Sequence, residues 1–251
     1  MTISIITATL NNRDIIEDCI KSVINQTYKD IEYIIVDGGS RDGTLDIIQK
    51  YKDRISIIHQ KSKGLYSALN EGLGHASGEV IGFLNADDLY VSDRAIEKVA
   101  VVFEKYNVES CYADLQYVKR NNINRTIRYW KSSVFDYNNL KLGWMPPHPT
   151  FFVRKDVYQK LGFFNTDFKI SSDYEMVLRL LYKYKISTYY LPQMLLKMRI
   201  GGLSNKNIIN IIRKSFEDYK VCRLYHLGLF TLFSKNINKI SQFILLNREG
   251  R

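Results

Sequence analysis

Three acidic clusters and one histidine carry most of the chemistry this sequence can offer. Asp37 ends the apolar run Ile31-Glu-Tyr-Ile-Ile-Val and precedes Gly38-Gly39-Ser40. An acid there can accept hydrogen bonds from a ribose hydroxyl or from the N–H of a uracil-type base. It can equally cap a helix opening near Asp42, and the glycines permit tight backbone turning either way. Asn85-Ala86-Asp87-Asp88 follows the apolar run Val80-Ile-Gly-Phe-Leu. Adjacent carboxylates repel unless a cation or donors compensate them. A hard divalent ion bridging them to a diphosphate is the economical explanation; it would neutralise charge developing on a departing nucleotide diphosphate. A turn of solvated acids is the alternative. Asp173 and Glu175 lie in Ser171-Ser-Asp-Tyr-Glu-Met-Val-Leu-Arg. Ser171 or Ser172 can cap a helix there and first-turn acids suit its dipole, but the same place suits a general base aimed into a cleft. His148 is held between Pro147 and Pro149 and is either structural or catalytic. Gly201-Gly202-Leu203-Ser204 reads as a flap over phosphate or as a helix boundary.

The elements that must position these residues alternate. Ile3-Ser-Ile-Ile-Thr-Ala-Thr is short and β-branched, as a buried strand should be. Apolar residues at Ile15, Ile16, Cys19, Ile20, Val23 and Ile24 then recur at helical spacing. Strands at 31–36, 55–59 and 80–85 alternate with helices around Leu45–Tyr51 and Leu65–Ala76, and with one running from a Ser92 cap to Tyr106. Four strand–helix alternations predict a parallel α/β sheet. Such sheets bind ligands at the carboxyl ends of their strands, where Thr7-Ala8-Thr9, Asp37 and Asn85–Asp88 all fall. After residue 107 the pattern breaks into short strands (110–113, 117–119, 151–153), loops and a helix over 173–184, read as an extension of the same sheet.

Several classes are disfavoured. The first strand is not followed by G-x-G-x-x-G, so a dinucleotide pyrophosphate cannot approach the helix start closely, and G-x-x-x-x-G-K-[ST] is absent. Three distant cysteines (Cys19, Cys111, Cys222) show no zinc spacing and no disulfide framework. The N-terminus lacks a basic and apolar signal segment, and no apolar run approaches the ~20 residues that span a bilayer; a cytoplasmic protein is expected. The net charge of +10 favours a polyanionic partner. Residues 206–251 hold nine basic and three acidic residues, +6, leaving +4 for the remainder. A nucleic-acid-binding module fits that charge, but the excess is confined to one end and no binding motif accompanies it.

Taken together, Ser4-Ile-Ile-Thr-Ala-Thr-Leu-Asn, Ile34-Ile-Val-Asp-Gly-Gly-Ser-Arg-Asp-Gly-Thr, Gly78-Glu-Val-Ile-Gly-Phe-Leu-Asn-Ala-Asp-Asp and Ser171-Ser-Asp-Tyr-Glu resemble the family 2 glycosyltransferases of the GT-A fold. The resemblance implies a Rossmann-like, mostly parallel sheet flanked by helices over residues 1–205, with a nucleotide-binding half (1–107) and an acceptor-side half (108–205), followed by a helical basic tail (206–251). It implies inverting sugar transfer from a nucleotide-sugar, usually a UDP-sugar, with Mn2+ or Mg2+. By position, Thr7, Ala8 and Thr9 would line the nucleotide pocket with Gly38, and Asp37 would contact the base. Asp87 and Asp88 look like the D-x-D element, with Asp88 the better metal ligand. Asp173 looks like the base, with Glu175 a nearby second acid; Gly202 and Ser204 match a Gly-Gly-x-Ser loop. Gly64-Leu-Tyr-Ser-Ala-Leu-Asn-Glu-Gly, carrying Tyr66 and Asn70 as nucleotide-side candidates, looks like a subgroup common in colanic-acid and O-antigen gene clusters. There Ser62 stands where that subgroup often has Asp, and Ser172 occupies the first position of the usual E-D pair.

The expected mechanism has Asp173 deprotonate an acceptor hydroxyl, with His148 a weaker candidate on the acceptor side and the loop over 199–204 ordering over the donor to exclude water. The competing enzyme class, a sugar nucleotidyltransferase, would carry a glycine-rich phosphate loop that Thr7-Ala-Thr-Leu-Asn-Asn-Arg lacks. In the tail, 207–224 and 229–246 read as helices combining basic and apolar residues. They suit interfacial contact with the inner face of the plasma membrane, where a saccharide acceptor on a polyprenyl diphosphate would lie; covering the sheet or forming a homodimer are the alternatives.

Overall fold

The computed structural model describes residues 1–201 and 208–235. The first half alternates strand and helix as expected: β1 (Ile3–Thr9), α1 (Ile16–Ile24), β2 (Ile31–Asp37), α2 (Thr44–Gln49), β3 (Ser56–His59), α3 (Leu65–His75), β4 (Val80–Phe83), β5 (Leu89–Tyr90) and α4 (Ala95–Lys105). Then come β6 (Ser110–Lys119), β7 (Asn122–Trp130), α5 (Tyr137–Lys141), β8 (Phe152–Arg154), α6 (Lys155–Leu161), α7 (Ser172–Val177), β9 (Thr188–Arg199) and α8 (Ile208–Leu224). The described strands form one sheet in the order β3-β2-β1-β4-β8-β6-β9-β5, with β7 paired to β6 off that path.

The sheet is mixed rather than mostly parallel. β3, β2, β1 and β4 run parallel. β8 then enters antiparallel to both β4 and β6, and β5 and β7 are antiparallel to their partners, while β6 and β9 run parallel. The two short strands expected at 110–113 and 117–119 are one strand, β6, because β9 pairs with it from Ser110 to Val118. The helix expected over 173–184 is α7 continued by a π-helical stretch, Leu178–Lys183.

Helices cover both faces, and the side-chain alternation of β2 shows why its stretch from Tyr33 to Val36 is apolar throughout. Tyr33 and Ile35 join the core layer under α1 and α4, whereas Ile34 and Val36 join the layer under α3, α6 and α7. A strand buried on both faces has no polar side to show. The helix α1 buries Ile16, Cys19, Ile20 and Val23, a single stripe at i, i+3, i+4, i+7. Ser92 does not cap α4, which starts three residues later. Gln26 substitutes for it: its Oε1 accepts the Ile96 N–H at 2.9 Å while its Nε2 donates to the Ser92 carbonyl at 2.7 Å. The described part of the basic C-terminal segment packs into the body of the protein. Val221, Cys222, Tyr225 and Leu227 belong to the α3/α7 core layer.

Candidate active site

Parallel β1, β2 and β4 bring Thr9, Asp37 and the Asn85–Asp88 turn to the same edge of the sheet, and α3 begins at that edge after β3. Asp37 is 1% exposed. Its Oδ2 accepts the N–H groups of Gly39 and Ser40, each at 3.0 Å, folding the chain into a tight turn in which Gly39 takes φ +89°. Its Oδ1 is buried with no partner. An orphaned carboxylate oxygen at a strand end is a vacant acceptor for a donor brought by a ligand. The helix-cap alternative is excluded: the first amide of α2, Thr44 N–H, donates to Asp42 at 3.0 Å. Gly38 packs closely, donating its N–H to the Thr9 carbonyl at 2.8 Å, and a Cβ on it would stand 3.0 Å from Gln60 Oε1.

Asp88 is 1% exposed; it accepts from Asn85 Nδ2 at 2.8 Å and from the Arg199 N–H at 3.0 Å. Burial, then the neighbouring Asp87 charge, push its carboxyl well above the usual range. Asp87 is pushed up too, by burial, against the pull of Arg120 and Arg199. Arg199, at the end of β9, is itself 3% exposed, pairs with Asp18 and donates Nη1 to the Asp87 carbonyl at 2.8 Å. Arg120 Nη1 lies 3.9 Å from Asp87 Oδ2. Burial raises both carboxyls despite these cations, and a divalent ion would relieve the cost of holding two carboxylates side by side there. No cluster of three or more metal-ligating side chains occurs among the described residues. Two carboxylates completed by phosphate oxygens and water are the donor set that Mg2+-like ions accept, so Asp87 and Asp88 fit that group. Beside them opens a groove of about 440 Å³ lined by Asp14, Asp18, Arg120, Asn121, Asn122 and Arg199.

The third cluster assembles around Asp173 on α7. Oδ1 accepts the Tyr174 N–H at 2.8 Å and faces the Tyr66 hydroxyl at 3.3 Å; Oδ2 lies 3.2 Å from His148 Nε2. Tyr66 comes from the first turn of α3 and His148 from the short 3₁₀ turn His148–Thr150, so three distant segments meet on one carboxylate. Burial, then the charge of Asp173, raise the Tyr66 hydroxyl well above its ordinary acidity range, so it remains a protonated donor. A carboxylate oriented from both oxygens, yet about one-fifth exposed at its side chain, can accept a proton from a substrate hydroxyl.

Residues 4–168 match the sequence profile of Glycosyl transferase family 2. The chain belongs to that glycosyltransferase family. It is 30% identical over 219 residues to a "PGL/p-HBAD biosynthesis glycosyltransferase" of Mycobacterium bovis, covering 85% of this chain and 81% of the relative. An uncharacterised glycosyltransferase of Haemophilus influenzae is 30% identical over 95% of this chain and 78% of its own length. Among solved structures, S. aureus TarS 1–349 in complex with UDP-GlcNAc superimposes with a TM-score of 0.72 at 18% identity, over 90% of this chain and 65% of that one. Mannosyltransferase PcManGT from Pyrobaculum calidifontis, in complex with GDP-Man and Mn2+, gives 0.63 at 17% identity, over 93% and 68%. These likenesses establish the GT-A-type fold. The chain spans only 39% of a longer TarS chain.

Within this glycosyltransferase several residues sit differently from expectation. Thr7 turns its hydroxyl into the core, 3.2 Å from the Tyr33 hydroxyl, so its side chain does not line the cleft. Thr9 Oγ1 accepts from Asn12 at 3.1 Å, and Ala8 packs on the α3-side core. The Asn70 side-chain amide is engaged within the fold: it exchanges two 2.9 Å hydrogen bonds with the backbone of Phe164, tying α3 to the loop before α7. The Tyr66 hydroxyl, expected on the nucleotide side, joins the Asp173 cluster. Glu175 is 3% exposed and points away from the cleft, accepting from the Tyr225 hydroxyl at 2.5 Å and lying 3.5 Å from Arg179; a side chain so enclosed meets no acceptor. Gly202 and Ser204 lie outside the described residues. The residues missed from sequence are Arg120 and Arg199. Their one signal was a charged residue closing each of two strand-like runs.

Proposed function

We propose that this chain is an inverting glycosyltransferase that moves a sugar from a UDP-sugar to a saccharide hydroxyl. The observation carrying this reading is the orphaned, buried Oδ1 of Asp37 on the same sheet edge as the Asp87–Asp88 pair. That edge offers an acceptor for a base or ribose and a place for a charge-compensated diphosphate. The UDP-GlcNAc complex of TarS supports the UDP choice, and the Mn2+ complex of PcManGT supports metal dependence. Asp173, held by Tyr66 and His148, takes the proton from the acceptor hydroxyl as that oxygen attacks the anomeric carbon. Asp88 and Asp87 would hold Mn2+ or Mg2+, which when bound would supply positive charge for the leaving diphosphate.

The acceptor is lipid-linked, at the cytoplasmic face of a bacterial plasma membrane, in surface-polysaccharide or glycolipid assembly. Support comes from the C-terminal segment. Ile209, Ile212 and Phe216 are exposed along α8, and Leu229, Phe230 and Phe233 along the helical residues 229–235, interleaved with exposed Arg213, Lys220 and Arg223. Apolar and basic side chains together suit an anionic lipid surface. Lys235, one of the basic residues of this segment, is buried against Asp218 at 2.9 Å and the Tyr174 ring. No described helix is long and apolar enough to cross a membrane.

A panel of UDP-, GDP- and dTDP-sugars, scored for binding and for nucleoside diphosphate release, tests the core reading. Release of pyrophosphate, or full turnover in EDTA, overturns the transfer chemistry or the metal role respectively. Flotation on vesicles containing anionic lipid tests the surface: Phe216→Ser/Phe230→Ser/Phe233→Ser should lose it, and equal flotation refutes it.

A further inference from the structure

The helix that carries Asp173 begins at Ser172 and runs on into the π-helical stretch Leu178–Lys183, and its N-cap, Ser171, makes no side-chain capping bond. The first amides of a helix have no partner within it, so something else must fix its entry. That something is on α8. The carboxylate of Glu217, 8% exposed, accepts three consecutive backbone N–H groups just before the helix: Lys169 at 3.1 Å, Ile170 at 2.8 Å and Ser171 at 3.0 Å. The next residue reinforces it. Asp218 accepts the Ser171 hydroxyl at 2.7 Å and pairs with Lys214 at 3.1 Å and Lys235 at 2.9 Å. On the opposite side of the same loop, the Ile170 carbonyl accepts the Tyr66 hydroxyl at 2.7 Å, and that hydroxyl faces Asp173. A single carboxylate therefore sets the backbone that sets both Asp173 and its tyrosine donor.

We propose that Glu217 is a positioning residue for Asp173, so that α8 is part of the catalytic apparatus. This rests on the reading of Asp173 as the base. Gln at 217 keeps one acceptor oxygen but turns an NH2 toward the amides, loosening the loop without emptying the space. A misplacement of about 1 Å in a reacting group lowers turnover by roughly 100-fold, while Asp37, Asp87 and Asp88 stand on other elements.

The full chain carrying Glu217→Gln should show kcat lowered by about 10- to 100-fold, with the UDP-sugar dissociation constant, measured by calorimetry, within about twofold of wild type. Wild-type kcat, or donor binding weakened as much as kcat, overturns the proposal. If Glu217→Gln does not fold, Glu217→Asp, which keeps the charge on a shorter stem, is read by the same split. Asp173→Asn is measured alongside. Full turnover of Asp173→Asn sinks the base reading; an inactive Asp173→Asn beside a fully active Glu217→Gln sinks only the positioning role.

Discussion

Asp173→Asn separates chemistry from architecture because the structure leaves so few contacts to lose. Of the three groups around the carboxylate, the Tyr174 N–H at 2.8 Å and the Tyr66 hydroxyl at 3.3 Å both approach Oδ1, and the amide oxygen of Asn can accept from both. Only the 3.2 Å contact of Oδ2 with His148 Nε2 changes, from carboxylate to NH2, and a neutral imidazole nitrogen can accept from it. The Asp173 side chain is 21% exposed and that of His148 31%. The lost pairing therefore lies near the exposed-pair scale of under about 1 kcal/mol, a shift of about 2–4 °C in Tm for a chain of this size. Removing a general base lowers turnover by about 100- to 10,000-fold, roughly 3–5 kcal/mol at about 1.4 kcal/mol per decade. The assay is nucleoside diphosphate release at saturating donor, beside calorimetric donor binding and thermal unfolding. Turnover should fall by that factor while donor binding holds and Tm moves by no more than about 2–4 °C. A variant that turns over within tenfold of wild type refutes Asp173 as base, and one that loses donor binding in step with turnover refutes the separation of the two clusters.

Because burial and Asp87 hold the Asp88 carboxyl well above its usual range, a bound ion must displace a proton there. Mn2+ affinity measured by calorimetry should weaken as pH falls within a window lying above the ordinary aspartate range, and Asp88→Asn should flatten that dependence; a wild-type affinity independent of pH contradicts it. Asp218 behaves oppositely. Burial pushes its carboxyl up, but Lys235 and Lys214 outweigh burial and hold it at about 2. Its folded pKa lies below its unfolded value, so its stabilisation, on the order of 2 kcal/mol, is present above about pH 4 and lost as pH falls towards 2. Acid titration of Asp218→Asn should lack that component. Finally, a Cβ at Gly82 would stand 2.3 Å from the buried Phe152 ring where β4 meets β8. Gly82→Ala should therefore destabilise by about 1–3 kcal/mol, read as a lower denaturant midpoint with unchanged donor affinity.

The first half of the fold was legible because each strand and helix there announces its own period. The stripe of α1 and the doubly buried run of β2 need no tertiary information. The second half was less so. β6 looks like two fragments, since its partners β8 and β9 lie some 40 and 80 residues downstream. For the site, Asp37, Asp87, Asp88 and Asp173 could be picked out as acids at strand or helix ends. What sequence could not supply was who faces whom. Tyr66 and His148 are separated by 82 residues and meet only through Asp173. Glu175, two residues from Asp173, looks equally exposed in a helical pattern and is buried by Tyr225, a residue 50 positions away. Thr7 and Asn70 are polar side chains that long-range partners recruit for the core, which composition does not reveal.

The pairing of β6 has a consequence for how this scaffold can diversify. Ser110 and Cys111 pair with β8, but from Leu115 onward that edge of the strand pairs with β7, while β9 follows the other edge throughout. The described part of β7 has no other strand partner, and most of its residues are only half-buried or exposed. The hairpin is thus hung on the sheet, and its turn at Arg120–Asn122 forms one wall of the groove beside Asp87 and Arg199. Drift or grafting in that turn can reshape the groove without disturbing either core layer. Selectivity can evolve there on a different clock from the carboxylates proposed for catalysis, which are fixed by the strands and helices around them.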